Sequence, residues 1–194
     1  MPKVGMEPIR KAALVKAAIA EVAGAGSLEV TMAQVARSAG VSAPLAHHYF
    51  GGKSALFEAA MRTILRDYAQ VVRAELRTAR TPRQRVEAVL RGSLNEAHFT
   101  PEVIAAWLVF YVQAQRTPSF RRLLRVYHRR LRSNLLAGLR PLMGAEADAA
   151  ADGLAAMIDG QYLHTALADR PRSGAEAARA VQTYFALLLD GRPS

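Results

Sequence analysis

One stretch, from Thr31 to Lys53, limits what this chain can fold into more than any other. It reads Thr-Met-Ala-Gln-Val-Ala-Arg-Ser-Ala-Gly-Val-Ser-Ala-Pro-Leu-Ala-His-His-Tyr-Phe-Gly-Gly-Lys. Thr31 is a helix-capping residue, and Gln34, three positions on, can reach back to the cap's own amide, a reciprocal pattern that defines a helix start. Gly40 breaks that helix and Ser42 caps a second. Gly51-Gly52 closes the second helix before a long apolar-periodic stretch from Lys53 to about Arg77. Two short helices joined by a tight glycine turn have helix-turn-helix spacing. Ala36 is small enough for the helices to cross closely, and Val35, Val41 and Leu45 are the expected core between them. The second helix, Ser42 to Tyr49, is then presented outward, where it can enter the major groove of duplex DNA. The alternative is a helical hairpin inside an ordinary bundle. The adjacent His47 and His48 could suggest a metal site, but neighbours in a helix point about 100° apart and no acidic partner lies nearby, so no metal is expected.

The rest of the chain carries helix signals throughout and no run that alternates like a half-buried strand, so the fold class is all-α. A first helix runs from about Glu7 to Ala25, with Leu14, Ala18 and Val22 on one face and Gly26 placed to end it. Thr81-Pro82, Thr100-Pro101 and Thr117-Pro118 each pair a cap with proline at the first helical position. The last two helices begin near Ala145 and at Ser173, where Glu176 completes another capping box. The count is about nine helices: an amino-terminal three-helix head, residues 1–53, joined to a helical body, residues 54–194. There is no internal repeat or low-complexity linker.

Composition narrows the function. Hydrophobic residues make up 51% of 194, as in an ordered globular chain. The absence of cysteine excludes disulfides and thiolate metal sites and fits a reducing compartment, with the cytoplasm as the expected location. The longest apolar run, Val103 to Val112, is half a membrane span, so no membrane partner is expected. A formal charge of +10 favours polyanions. Residues 1–53 hold six basic and three acidic side chains, a net of only +3, whereas eight arginines and no carboxylate lie between Arg116 and Arg140. No metalloprotease pair, phosphate loop or nucleophile elbow points to an enzyme, and no cofactor is expected.

The segment around residues 9–60, with its Thr-x-x-x-Val-Ala-x-x-Ala-Gly-Val-Ser and Tyr-Phe-x-x-Lys pattern, resembles the DNA-binding domain of the TetR family of repressors. The resemblance implies that Thr31, Tyr49 and Lys53 contact backbone phosphates while Ser42, Ala43, Leu45 and His47 face bases, within a reading segment that also holds Pro44 and His48. Many family members carry a small or flexible residue where this chain has Pro44, which removes one backbone donor from the first turn. A twofold dimer would place two reading helices roughly 34 Å apart on a palindromic operator.

A wider resemblance rests on Pro2-Lys-Val-Gly-Met-Glu-Pro-Ile-Arg10, Ala106-Trp-Leu-Val-Phe110, Arg129-Arg-Leu-Arg-Ser-Asn-Leu135 and Gly153-Leu-Ala-Ala-Met-Ile-Asp-Gly160. These are similar to the BetI-type branch of the family, choline-responsive repressors of choline-uptake and glycine-betaine synthesis genes. The resemblance implies a ligand with a quaternary ammonium, and choline or another amine as effector. Such a group cannot donate hydrogen bonds and is best held by aromatic faces beside a carboxylate. Trp107, Phe110 and Tyr111 share one helix face, Asp159 and Tyr162 another, and Glu96, read as part of the fifth helix, is a second candidate acid. Asp159 is the only charge between Gly153 and Ala168. It is either a satisfied structural group or a counter-ion for something cationic, and the three rings could equally be core. In the family the last two helices make a homodimer interface, to which Leu154, Met157, Val181, Phe185 and Leu188 are assigned here. The rival reading is an architectural nucleic-acid binder that uses the Arg116 to Arg140 stretch and needs no ligand.

Overall fold

The helix starts read from caps and prolines are helix starts in the structure, a computed structural model that describes residues 5–191. The Pro2 to Val4 part of the opening segment lies outside the described residues. Among the described residues are nine α-helices and no strand: α1 (Met6–Ala25), α2 (Met32–Ser38), α3 (Ala43–Phe50), α4 (Lys53–Thr78), α5 (Pro82–Ser93), α6 (Pro101–Arg116), α7 (Pro118–Met143), α8 (Ala147–Leu167) and α9 (Gly174–Asp190). The Thr31 and Ser173 capping boxes form with both reciprocal bonds, and Thr81 with Gln84 makes a third. The start expected near Ala145 is a single 3-10 turn, Gly144–Glu146, from which α8 continues.

The chain divides into two compact units, Met1–Ile64 with Pro101–Arg121, and Leu65–Thr100 with Arg122–Ser194. In the first, α1 packs on α2 and α6, and α2 on α3. Leu14, Ala18 and Val22 are all buried, as their spacing requires. Side chains from α1, α4 and α6, among them Val22, Met61, Ile64 and Phe110, close around an apolar cavity of about 20 Å³. That is room for about one water and far too little for an organic cation.

In the second unit α9 packs against α5 and α8. Leu154, Val181 and Phe185, expected at a subunit interface, are fully buried within the unit, and Met157 and Leu188 are half-buried. The large apolar side chains that α8 and α9 leave exposed are Leu163 and Leu167 on α8 and Tyr184 and Leu187 on α9. The correction follows from helix geometry: an α8–α9 pair needs one stripe for its own packing, and only a second stripe, turned away from it, can meet another chain.

Close helix contacts depend on glycine. A Cβ on Gly138 of α7 would stand 2.7 Å from the Pro82 carbonyl oxygen and 2.7 Å from Val86 Cγ2. Gly138→Ala is therefore expected to force α5 and α7 apart and cost about 1–3 kcal/mol. Urea unfolding checks this, and unaltered stability would show that the contact relaxes freely.

Candidate functional site

The reading segment is built from caps inward. Thr31 Oγ1 accepts from the Gln34 amide while Gln34 Oε1 accepts from the Thr31 amide at 2.7 Å, which fixes the first residue of α2. Gly40, at φ 68°, turns the chain through left-handed backbone that a side chain would strain. Ser42 then caps α3 by accepting from the Leu45 amide, with Pro44 in the first turn. Val35, Ala36 and Ala46 are fully buried. Val41 and Leu45, expected in this core, are only half-buried. Ala46 is instead the buried side chain of α3.

Ser42, Pro44, His47 and His48 are exposed, and Ala43, Leu45 and Tyr49 are half-exposed. The face away from the core thus offers a hydroxyl, two imidazoles and apolar groups, a set suited to base edges and thymine methyls. Lys11 of α1, which motif reading missed, holds its ammonium 5.5 Å from the centre of the Tyr49 ring. It also pairs with Glu7 at 2.7 Å, a bond that keeps the Glu7 carboxyl below its ordinary range. The Glu7 to Lys11 spacing was its only signal in the sequence. Lys53, expected on phosphate, donates to the Leu28 carbonyl at 2.7 Å, tying the start of α4 to the chain before α2. An ammonium has three donors, so two remain for a phosphate. No group of three or more His, Cys, Asp or Glu side chains able to hold a metal occurs among the described residues.

The residues expected around an organic cation lie in both units. In the first, Trp107, Phe110 and Tyr111, expected on one helix face, form a cluster of edge-on and tilted rings, with Trp107 5.6 Å from each neighbour, centre to centre, and Phe120 5.8 Å from Phe110. In the second, Asp159 is the centre. Tyr127 donates to Asp159 Oδ1 at 3.0 Å, and His128 Nε2 lies 2.9 Å from Asp159 Oδ2. Tyr68 packs edge-on against Tyr127 at 5.4 Å and shares a 2.8 Å bond with the buried Ser93 hydroxyl. Tyr162 donates to the Ser93 carbonyl at 2.8 Å and meets Phe99 edge-on at 4.9 Å. Burial, with the Asp159 charge adding to it, pushes the Tyr68 and Tyr162 phenols well above their ordinary range. They stay neutral, and their ring faces stay electron-rich next to a carboxylate.

Glu96 is not part of this cluster. It lies beyond the end of α5 and is exposed, and it accepts from the Ala175 amide at 2.9 Å near the start of α9. The sequence pointed to Asp159 and Tyr162. Tyr68, Tyr127 and Phe99 were missed, because they come from α4, α7 and the segment before α6 and share no local pattern. The arginine-rich stretch is divided in its roles. Arg121 bonds the Ala114 and Gln115 carbonyls at the end of α6, and Arg132 bridges Asp148 and Asp152 of α8.

Residues 14–60 match the family described as bacterial regulatory proteins, tetR family, and residues 82–190 match the BetI-type transcriptional repressor, C-terminal. The HTH-type transcriptional regulator BetI of Brucella suis is 47% identical over 100% of this chain and 98% of its own length. That of Agrobacterium fabrum is 49% identical over 100% of this chain and 94% of its own. Among solved structures, a transcriptional regulator from Rhodococcus superposes with a TM-score of 0.82 at 23% identity, covering 93% of this chain and 96% of that one. A transcriptional regulator from Saccharomonospora viridis, in complex with choline, superposes with a TM-score of 0.78 at 19% identity, covering 91% and 95%.

Lys53→Ala and Lys11→Ala are expected to weaken binding to duplex DNA of every sequence alike, lowering the salt slope by about one unit for each phosphate no longer neutralised. His47→Ala is expected to change preference among sequences instead. Competition binding at fixed salt separates the two patterns, and a sequence-selective loss in Lys53→Ala would contradict a phosphate role.

Proposed function

The chain belongs to the TetR family of DNA-binding transcriptional regulators and carries a BetI-type repressor region, and from that premise we propose that it represses choline-uptake and glycine-betaine synthesis genes until choline binds it. The observation that carries the choline reading is Asp159. A carboxylate in an otherwise uncharged stretch of α8, three-quarters buried, accepts one phenol and stands beside further tyrosines whose hydroxyls are engaged elsewhere. A trimethylammonium needs one negative charge, several ring faces and no hydrogen-bond acceptor of its own. The choline in the Saccharomonospora regulator supports the same ligand class. Trp107 and Phe110, buried in a unit whose cavity is too small for an organic cation, would with Tyr111 serve as further faces only where that packing opens, which choline calorimetry on Trp107→Ala tests separately.

In this reading α3 binds the operator through His47 and its neighbours, and Thr31, Tyr49 and Lys53 hold phosphates. Coupling runs through the chain itself. α4 carries Lys53 at its start and Tyr68 fifteen residues on. A cation that draws Tyr68 and Tyr127 toward Asp159 acts on α4 and so on Lys53. It shifts operator affinity only by its preference for the released state, typically about 1–3 kcal/mol.

The active form is a homodimer joined by the last two helices. Leu163, Leu167, Tyr184 and Leu187 form its apolar face, continued by a groove that includes Ala149, Gly153, Leu187 and Leu188. No helix among the described residues is long and apolar enough to cross a membrane.

Calorimetry tests the ligand site: wild-type protein binds choline, and Asp159→Asn weakens that binding at least about tenfold, as the loss of a desolvated counter-ion requires. Equal affinity in the variant would remove Asp159 from the site. Leu187→Glu is expected to convert the dimer to monomer in sedimentation, and an intact dimer would place the interface elsewhere.

A further inference from the structure

α7 and α8 run antiparallel, joined by three residues, and face each other through a ladder of charges. Arg132 of α7 takes Asp148 and, at 2.7 Å, Asp152 of α8. One helical turn earlier on α7, and nearly two turns later on α8, His128 takes Asp159 at 2.9 Å. The cation of the first rung is permanent, because a guanidinium does not deprotonate in proteins. The second is charged on both sides only when the imidazole carries a proton. The carboxylate assigned to the ligand cation is thus the one whose resident partner can give up its charge.

We propose that His128 is a built-in competitor for the ligand site: its ring occupies Asp159 in the unliganded protein, and an ammonium ligand must displace that ring, and its charge when protonated, to bind. The inference rests on Asp159 as the carboxylate that meets the ligand. Its geometry suits an exchange. The His128 side chain is 45% exposed, so the ring can swing into solvent at little cost, whereas Asp159, at 25%, cannot follow it. Tyr127 holds the other carboxylate oxygen and keeps Asp159 in place while partners change.

The remaining titratable and charged groups do not confuse the reading. From α4, Tyr68 faces Asp159 as a neutral phenol, and from α8, Tyr162 does the same. On α7, Tyr127 lies beside the imidazole, ring centres 5.1 Å apart. Arg132, one turn on, is committed to Asp148 and Asp152. Arg125 and Arg129 lie exposed on the same helix and do not titrate in this range.

Linkage sets the sign. If the ligand displaces an imidazolium, the ring loses the carboxylate that favours its charged form, so binding expels a proton and tightens as pH rises between the ring's titration with ligand and without it, by at most about tenfold per unit, and is flat on either side of that window. Choline binding to the full-length protein is measured calorimetrically between about pH 5.5 and 8.5, in two buffers of different ionisation enthalpy to count protons released. The expected result is proton release, with affinity lost on acidification. His128→Gln flattens the profile at the high-pH affinity, and His128→Arg weakens binding at every pH. Wild-type binding that ignores pH, or a His128→Gln profile that keeps the wild-type slope, would overturn the inference while leaving choline binding in place. Failure of choline to bind at any pH would overturn the reading of Asp159 and the inference with it.

Discussion

Helices of seven and eight residues are not stable on their own in water, yet reading DNA requires that one of them be held rigidly and left bare. That constraint governs the first unit. α2 and α3 cannot hold each other by area, so they are set by capping bonds at Thr31 and Ser42, by the left-handed turn at Gly40, and by the close crossing that Ala36 and Ala46 permit. Lys53 adds a cross-link to the Leu28 carbonyl. α1 supplies the larger surface, buried on one side through Leu14, Ala18 and Val22 and packed on its other partners through α6. The apolar cavity there is nearly filled, as it must be if the platform under α3 is to be stiff.

The second unit answers a different demand. A charge inside an apolar helix is costly unless partnered, and Asp159 is partnered by a phenol and an imidazole rather than a guanidinium. Arginine was available on the same helix, and at Asp148 and Asp152 it is used. A permanent cation at Asp159 would have made the pair a structural strut. A histidine and neutral tyrosines leave the negative charge open to an outside cation.

Much of this was legible in the sequence, where a signal was local. Caps and prolines marked the helix starts because a cap pairs, and a proline removes, one of the amides that the first turn leaves without a partner. The helix-turn-helix was legible for the same reason. Asp159 stood out because a lone charge in an apolar run is visible without any structure. What stayed hidden was set by packing between distant segments. Tyr68 and Tyr127 approach Asp159 from helices far away in sequence. Glu96 follows a helical pattern but stands beyond α5, bonded to the start of α9. Leu154, Val181 and Phe185 have the spacing of an interface, yet periodicity identifies an apolar stripe without saying which of two partners covers it. The arginines of α7 look like one basic surface, whereas Arg121 and Arg132 are tied to backbone carbonyls and to carboxylates.

The central claim is that one molecule couples an operator-reading head to a cation-sensing body. Its most direct test is the fluorescence anisotropy of the chain's own upstream DNA, titrated with the full-length dimer at fixed salt, with and without choline. The account predicts sequence-specific binding that weakens about 5- to 150-fold at saturating choline, the range that about 1–3 kcal/mol of coupling allows. Specific binding unmoved by choline at concentrations that saturate Asp159 would contradict it.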